Sequence, residues 1–526
     1  MASFLSLAST PWDGIPPQGV NPLLLGFYNT PETLTPVKLE IEGSIPTWVQ
    51  GSLYRGAHAG WDAGNYTSSH WFDGFSRNHR FEIQNGQVEY RSRNASDELN
   101  DFVRETGLLP GGSFGGDPCK TIFGEFETKW RDGNNTVGDK NTASVLVSYI
   151  KNFPGLARNS TNFGPFVTLV ATTDANELQQ FDPVTLEPIE LFTYQSTNSA
   201  LSSRFSSAHP SIGAKGEVYN YVLDLEGEVP TYQVFGVFEG GEGRILANIT
   251  DAPPAYLHSV FGTENYIILI VWQADFGNNG EATNILDNMK PWDPSRPALF
   301  YVISKEEGGV VAKYTAPPFF AFHEINSFEQ NGDIVIDLPK FSDNSWLFGA
   351  RIPNLRANVG KPNASSLDLQ GEFVRFRLPD FEAGKFSNGT IVTRPAVEEL
   401  HFPPTIGNLE LPKINEAYLH KPYRYAYGIH TVQRGFFADS IVKIDVETQT
   451  SKVWKPDTNH LPSEPIFVAK PNATCEDDGA LVFIAMDERR SASSLIVLDA
   501  RTMEEFGRAK VPVAVGYGFH GIWGGA

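Results

Sequence analysis

Three observations predict an all-β chain closed as a β-propeller. The 48 glycines and 36 prolines among 526 residues are spread along the whole length and leave little room for long helices. Between them lie short segments rich in β-branched and aromatic residues, most entered through turn chemistry. A strand ending in Asp-x-x-Thr also recurs, at Phe181-Asp182-Pro183-Val184-Thr185, Ile444-Asp445-Val446-Glu447-Thr448 and Leu498-Asp499-Ala500-Arg501-Thr502.

In chain order, Val167–Thr172, Val218–Leu223, Tyr266–Trp272, Ala298–Ile303, Asp333–Leu338, Ser440–Ile444, Ala480–Ala485 and Ser494–Leu498 each read as one strand, of about five to seven residues. Lys215-Gly216-Glu217, Asn331-Gly332-Asp333 and Asp478-Gly479-Ala480 are hairpin signals. In the Asp-x-x-Thr repeat the Asp side chain can accept backbone N–H bonds and close a turn before the next strand. Recurrent hairpin-edged sheets arranged radially avoid exposed edges, which is the propeller solution. Two stacked β-sandwiches are the rival, but no Pro/Ser-rich linker divides the chain. The expectation is therefore one propeller domain over residues 1–526, with roughly the first 30 residues peripheral. Asn100–Gly107 and Glu281–Met289 are short helix candidates for loops above the sheets.

The net charge of −21 argues against a nucleic-acid surface. Two cysteines, Cys119 and Cys475, supply neither a disulfide framework nor a Cys-based zinc motif. No run approaches the roughly 18 to 20 apolar residues of a spanning helix. The first residues lack a basic, apolar leader, so a cytoplasmic protein is the simplest expectation, and the several Asn-X-Ser/Thr triplets read as chance occurrences.

A phosphate loop, a Rossmann glycine fingerprint, a Gly-x-Ser-x-Gly elbow and a His-Glu-x-x-His helix are all missing. Histidine is the informative inventory. His209, His258, His323 and His520 sit in or beside apolar strand-like segments: Ser207-Ala208-His209-Pro210, Tyr256-Leu257-His258-Ser259, Phe320-Ala321-Phe322-His323-Glu324 and Tyr517-Gly518-Phe519-His520-Gly521. A propeller can bring such distant residues to one axis, where neutral imidazoles suit iron, copper or zinc. Each is also readable as a structural histidine. Spacing alone does not choose these four over His70 or His430.

At these segments the chain resembles the carotenoid cleavage oxygenase family. Gly51-Ser52-Leu53-Tyr54-Arg55-Gly56 is similar to its entry motif, and His70-Trp71-Phe72-Asp73-Gly74 followed by His79-Arg80-Phe81 to its His-Trp-Phe-Asp-Gly signature. After the four histidine segments come Asn408-Leu409-Glu410-Leu411-Pro412-Lys413, Tyr423-Arg424-Tyr425-Ala426-Tyr427-Gly428 and Ser463-Glu464-Pro465 through Glu476-Asp477-Asp478-Gly479. The resemblance implies a seven-bladed propeller, with loops and short helices capping an iron-containing face. It implies that His209, His258, His323 and His520 ligate one Fe(II). Glu410, Glu464 and Asp174 would accept hydrogen bonds from the outer imidazole nitrogens, Asp174 standing where the family has a glutamate. His70 and Asp73 read as a buried hydrogen-bonded pair or turn, the other histidines as structural or exposed, and Glu476-Asp477-Asp478 as a solvated turn.

The implied reaction adds both atoms of O₂ across one C=C bond of a conjugated apolar alkene and yields two carbonyl products. Stilbene-cleaving members carry a lysine just before the acid that aligns with Asp174. Thr172 and Thr173 stand there instead, which favours a carotenoid or apocarotenoid over a stilbene or phenylpropene. Aromatics such as Phe114, Phe123, Phe163, Phe205, Phe322 and Trp346 could line an apolar tunnel or simply belong to the core. A non-enzymatic scaffold and an isomerohydrolase are the other readings. The expected partners are the apolar substrate and O₂, with no nucleic acid, in a monomer or weak dimer that can touch a membrane peripherally.

Overall fold

The computed structural model describes residues 16–107, 109, 113–115, 140–157, 165–277, 284–361, 364, 371–381, 391–433 and 437–525. Within them, seven sheets of four to six strands and one two-stranded hairpin make up the β structure. The arrangement is a seven-bladed propeller.

Each of the eight runs picked out by composition marks a strand, although Val167, Thr168 and Trp272 lie just outside theirs. Tyr266–Val271 and Gly479–Asp487 are buried on nearly every residue because neighbouring blades cover both of their faces. Such strands read as continuous apolar runs. Outer strands face water and alternate, as Gln87–Asn94 does. The Asp-x-x-Thr turns are built alike. Asp182 Oδ1 accepts from Val184 N and Thr185 N at 2.8 and 2.7 Å, Asp445 Oδ1 from Glu447 N and Thr448 N at 3.1 Å each, and Asp499 Oδ1 from Arg501 N and Thr502 N at 2.8 and 2.9 Å. Four residues after each Asp, Leu186, Gln449 and Met503 take a left-handed conformation that leads into the next strand.

The ring closes twice. At its inner edge the C-terminal strand Gly521–Gly525 pairs antiparallel with Gly51–Gly60 of the first blade. At the outer edge of the last blade, Glu40–Gly43 pairs with Glu505–Lys510. The segment before Gly521 runs against Gly51–Gly60 so closely that a Cβ on Gly516 would lie 1.7 Å from the His58 carbonyl oxygen, and one on Gly518 would lie 2.0 Å from that of Gly56. Glycine alone permits that approach.

Two expectations change. The N-terminal segment is only partly peripheral: the 3₁₀ turn Pro22–Phe27 buries Leu23 and Phe27, and Phe27 packs on Trp61, Phe437 and Tyr517. The helix expected over Glu281–Met289 is a single turn, Ile285–Asn288, and residues 281–283 lie outside the described ones. The other candidate is the helix Asp97–Thr106, ended by Gly107 at φ 69°.

Candidate metal centre

Each of the four histidines ends or begins an inner-edge segment. His209 lies between Phe205–Ser206 and Ser211–Ile212, His258 precedes Phe261–Gly262, His323 precedes Asn326–Gln330, and His520 precedes Gly521–Gly525. These short strands form the axial edges of different sheets, so the side chains that leave them meet at the axis. One ligand atom from each of the four lies within 4.8 Å of the others. The ring of His209 is 4.8, 5.0 and 4.1 Å from those of His258, His323 and His520, centroid to centroid.

Three of the imidazoles are held from outside by a carboxylate. His258 Nδ1 is 2.7 Å from Asp174 Oδ1, His323 Nδ1 2.5 Å from Glu410 Oε2, and His520 Nδ1 2.7 Å from Glu464 Oε1. An Nδ1–H donating to a carboxylate leaves the lone pair on Nε2. For His323 and His520 those two nitrogens are 3.1 Å apart. Two lone pairs at that distance repel unless a cation lies between them, and two imidazoles bound at right angles to one ion have nitrogens about 3 Å apart. His209 has no such carboxylate among the described residues. Its Nε2 is buried and without a hydrogen-bond partner among them, while its backbone is pinned to Ser207 Oγ and the His258 carbonyl at 3.0 and 3.1 Å. The donor set therefore fits a divalent transition metal.

Burial, and then the neighbouring imidazoles and Lys413, push His209 and His520 well below the ordinary histidine range. They are held in the neutral form that a metal requires. Glu464 is steadied by Gly521 N at 2.7 Å, by Lys413 Nζ at 3.2 Å and by the buried Arg55 at 3.4 Å. Arg55 also donates to the Phe519 carbonyl at 3.0 Å, fixing the backbone beside His520. Glu410 begins a strand with a bulge. The next residue, Leu411, is left-handed at φ 48° and donates its N–H back to Glu410 Oε2 at 2.8 Å. Bulges of this kind re-aim side chains beside sites.

Above the histidines lies a largely apolar pocket lined by Trp71, Phe72, Phe322, Trp346, Leu411 and Phe519 together with His258, His323 and His520. Of the aromatics proposed from sequence, Phe322 and Trp346 line it. Phe114 sits behind it, stacked on His70, and Phe205 packs on Phe276 instead. Phe123 and Phe163 lie outside the described residues. Trp71, Phe72 and Phe519 also line it, and nothing in the amino-acid order marks them for that part.

His70 and Asp73 do not pair through their side chains. His70 Nε2 meets the Leu347 carbonyl at 2.8 Å, and its Nδ1 accepts from Phe72 N at 3.1 Å, while Asp73 accepts from Phe114 N and Gly115 N at 2.5 and 2.9 Å. They build the turn that presents Trp71 and Phe72. Burial lowers His70 to about 3 and raises Asp73 to about 6. The acidic turn is also less solvated than expected: Asp477 is buried against Lys443 at 2.7 Å, and Glu476 accepts from Arg424 N and Tyr425 N, because these groups tie two blades together.

Residues 26–524 match the family model described as retinal pigment epithelial membrane protein. A torulene dioxygenase of Fusarium fujikuroi is 33% identical over 547 aligned residues, covering 94% of this chain and 92% of the relative. A carotenoid dioxygenase of Neurospora crassa is 32% identical, covering 94% and 90%. Among solved structures, a variant of the Synechocystis apocarotenoid oxygenase superposes with a TM-score of 0.74 at 20% identity over 96% of this chain and 98% of that one, a likeness of fold.

Proposed function

The chain belongs to the retinal pigment epithelial membrane protein (RPE65) family, and from that premise we propose that it uses Fe(II) held by His209, His258, His323 and His520 to cleave a double bond of a carotenoid or apocarotenoid. It is a carbon–carbon double-bond-cleaving dioxygenase, in keeping with relatives named torulene dioxygenase and carotenoid dioxygenase. The observation that carries the metal assignment is the pair of Nε2 atoms 3.1 Å apart, each on an imidazole whose other nitrogen faces a carboxylate.

A ferrous ion held by the four imidazoles would supply one-electron chemistry toward O₂. The protein's own part is binding, orientation and exclusion of water. Phe72, Phe322, Trp346 and Phe519 wall the cavity with rings that suit the face of a conjugated chain. Its acidic members, Asp174 and Glu410, each hold an imidazole through one carboxylate oxygen, and neither is assigned the part of nucleophile or general base. None is needed, because the two oxygen atoms of O₂ account for both carbonyl products. Thr172 donates its hydroxyl to the Ala208 carbonyl at 2.6 Å and is not among the residues that line the cavity, which supports a polyene over a stilbene. Peripheral contact with a membrane, from which such a substrate would be drawn, belongs to the same reading.

The test is anaerobic reconstitution with Fe(II), then incubation under ¹⁸O₂ with torulene, an apocarotenal, resveratrol and isoeugenol. Labelled aldehydes from a polyene are expected. Label arriving only from water, or turnover of the phenols alone, refutes the proposal.

A further inference from the structure

We infer that Tyr256 is a positioning residue for the metal centre, standing in for the backbone clamp that the shorter Asp174 lacks. This rests on reading the four imidazoles as metal ligands. The three carboxylates behind the imidazoles are not anchored alike. Glu410 accepts from Leu411 N at 2.8 Å and Glu464 from Gly521 N at 2.7 Å, so each is fixed by a backbone N–H next to its strand. Among the described residues, no backbone N–H reaches the carboxylate of Asp174. Its Oδ2 instead accepts from the Tyr256 hydroxyl at 3.0 Å, while its Oδ1 faces His258 Nδ1 at 2.7 Å. The same hydroxyl oxygen is 2.9 Å from His258 Nδ1, so tyrosine, aspartate and histidine close a three-membered hydrogen-bonded ring.

Tyr256 is suited to this task because it cannot drift. It precedes His258 by two residues, and the 2.9 Å approach of its hydroxyl to that imidazole places both side chains on the same side. Its N–H donates to the Ala274 carbonyl and its own carbonyl accepts from Trp272 Nε1, each at 3.0 Å. Its ring meets the edge of Phe114 at 5.3 Å, and Phe114 N is held by Asp73. The His-Trp-Phe-Asp-Gly turn thereby reaches the metal centre through Phe114 and Tyr256.

The probe is Co(II), titrated against a chromophoric chelator into wild type, Tyr256→Phe, Asp174→Glu and the double variant, with the visible ligand-field spectrum and the melting temperature of the metal-free protein recorded for each. Tyr256→Phe is expected to bind Co(II) about tenfold more weakly with an altered spectrum and an unchanged metal-free melting temperature. Adding Asp174→Glu, whose extra methylene restores reach, should bring affinity back to within about threefold of wild type. A wild-type chain that takes up no Co(II) overturns the metal reading and this inference with it. Wild-type affinity in Tyr256→Phe, or a double variant no better than the single, overturns this inference alone. If Tyr256→Phe does not fold, Phe114→Leu is the second arm: it keeps the hydroxyl but removes the ring that props it, weaker Co(II) binding is expected, and unchanged affinity overturns the inference.

Discussion

The imidazole and carboxylate pairs set the behaviour of the site one side chain at a time. Glu410→Gln keeps the size of the side chain but offers His323 an amide in place of a carboxylate, so metal affinity or turnover should fall by about ten- to a hundredfold, read by chelator competition and initial rates. His323→Ala should abolish stoichiometric iron while leaving the far-ultraviolet circular dichroism of a β protein, because blade packing does not pass through that ring. Buried histidines also predict how the metal-free protein answers to pH. His58 is pushed down to about 4 and His70 to about 3, both by burial, and His79 lies well below the ordinary range. Once unfolded, each takes up a proton near pH 6.5, so their contribution is present above that pH and is lost as pH falls toward the folded values. Asp73, raised to about 6, and Glu324, raised to about 7, act in the opposite sense because their folded forms take up protons first. With His209, His420, His430, His460 and His520, eight histidines among the described residues are lowered in the metal-free protein, against five raised carboxyls, Asp97, Asp275 and Glu476 being the others. Urea midpoints of the metal-free protein should therefore fall between pH 7 and pH 5.

At the scale of elements, what the amino-acid order reveals depends on where a strand sits in its blade. Central strands such as Tyr266–Val271 are covered on both faces and announce themselves as apolar runs. Val397–His401 and Thr450–Trp454 lie at outer edges, expose most of their residues and carry no such pattern, while inner pieces such as Phe261–Gly262 are too short to show a period. The Asp-x-x-Thr turns were readable because one side chain makes both of their local bonds. The four histidines stood out as residues, yet only a family likeness distinguished them from His70 or His430. Arg55 and Tyr256 lie within segments that carry the same likeness, yet nothing local marks their roles, because those roles lie in contacts with segments far along the chain. The segment that delivers His520 shows what such contacts demand. Gly516→Ala would drive a methyl into the His58 carbonyl and should lower stability by about 1–3 kcal/mol or more, with metal affinity falling alongside. Gly525, with nothing within 4 Å of its would-be Cβ, is the control, and Gly525→Ala should leave both the thermal midpoint and metal content unchanged.

For the molecule as a whole, closure of the ring and completion of the metal centre use the same stretch of chain. His520 is followed at once by Gly521–Gly525, whose pairing with Gly51–Gly60 shuts the inner edge, and Gly521 N also holds Glu464. A protein ending at His520 keeps all four histidines but loses that strand, so its melting temperature and its iron content should drop together, measured by calorimetry and elemental analysis. The double clasp has a further consequence for biosynthesis. During synthesis His209, His258 and His323 leave the ribosome well ahead of His520, which lies 197 residues behind the last of them. A metal that needs all four imidazoles can settle only once His520 and the strand behind it have emerged and the inner edge is shut.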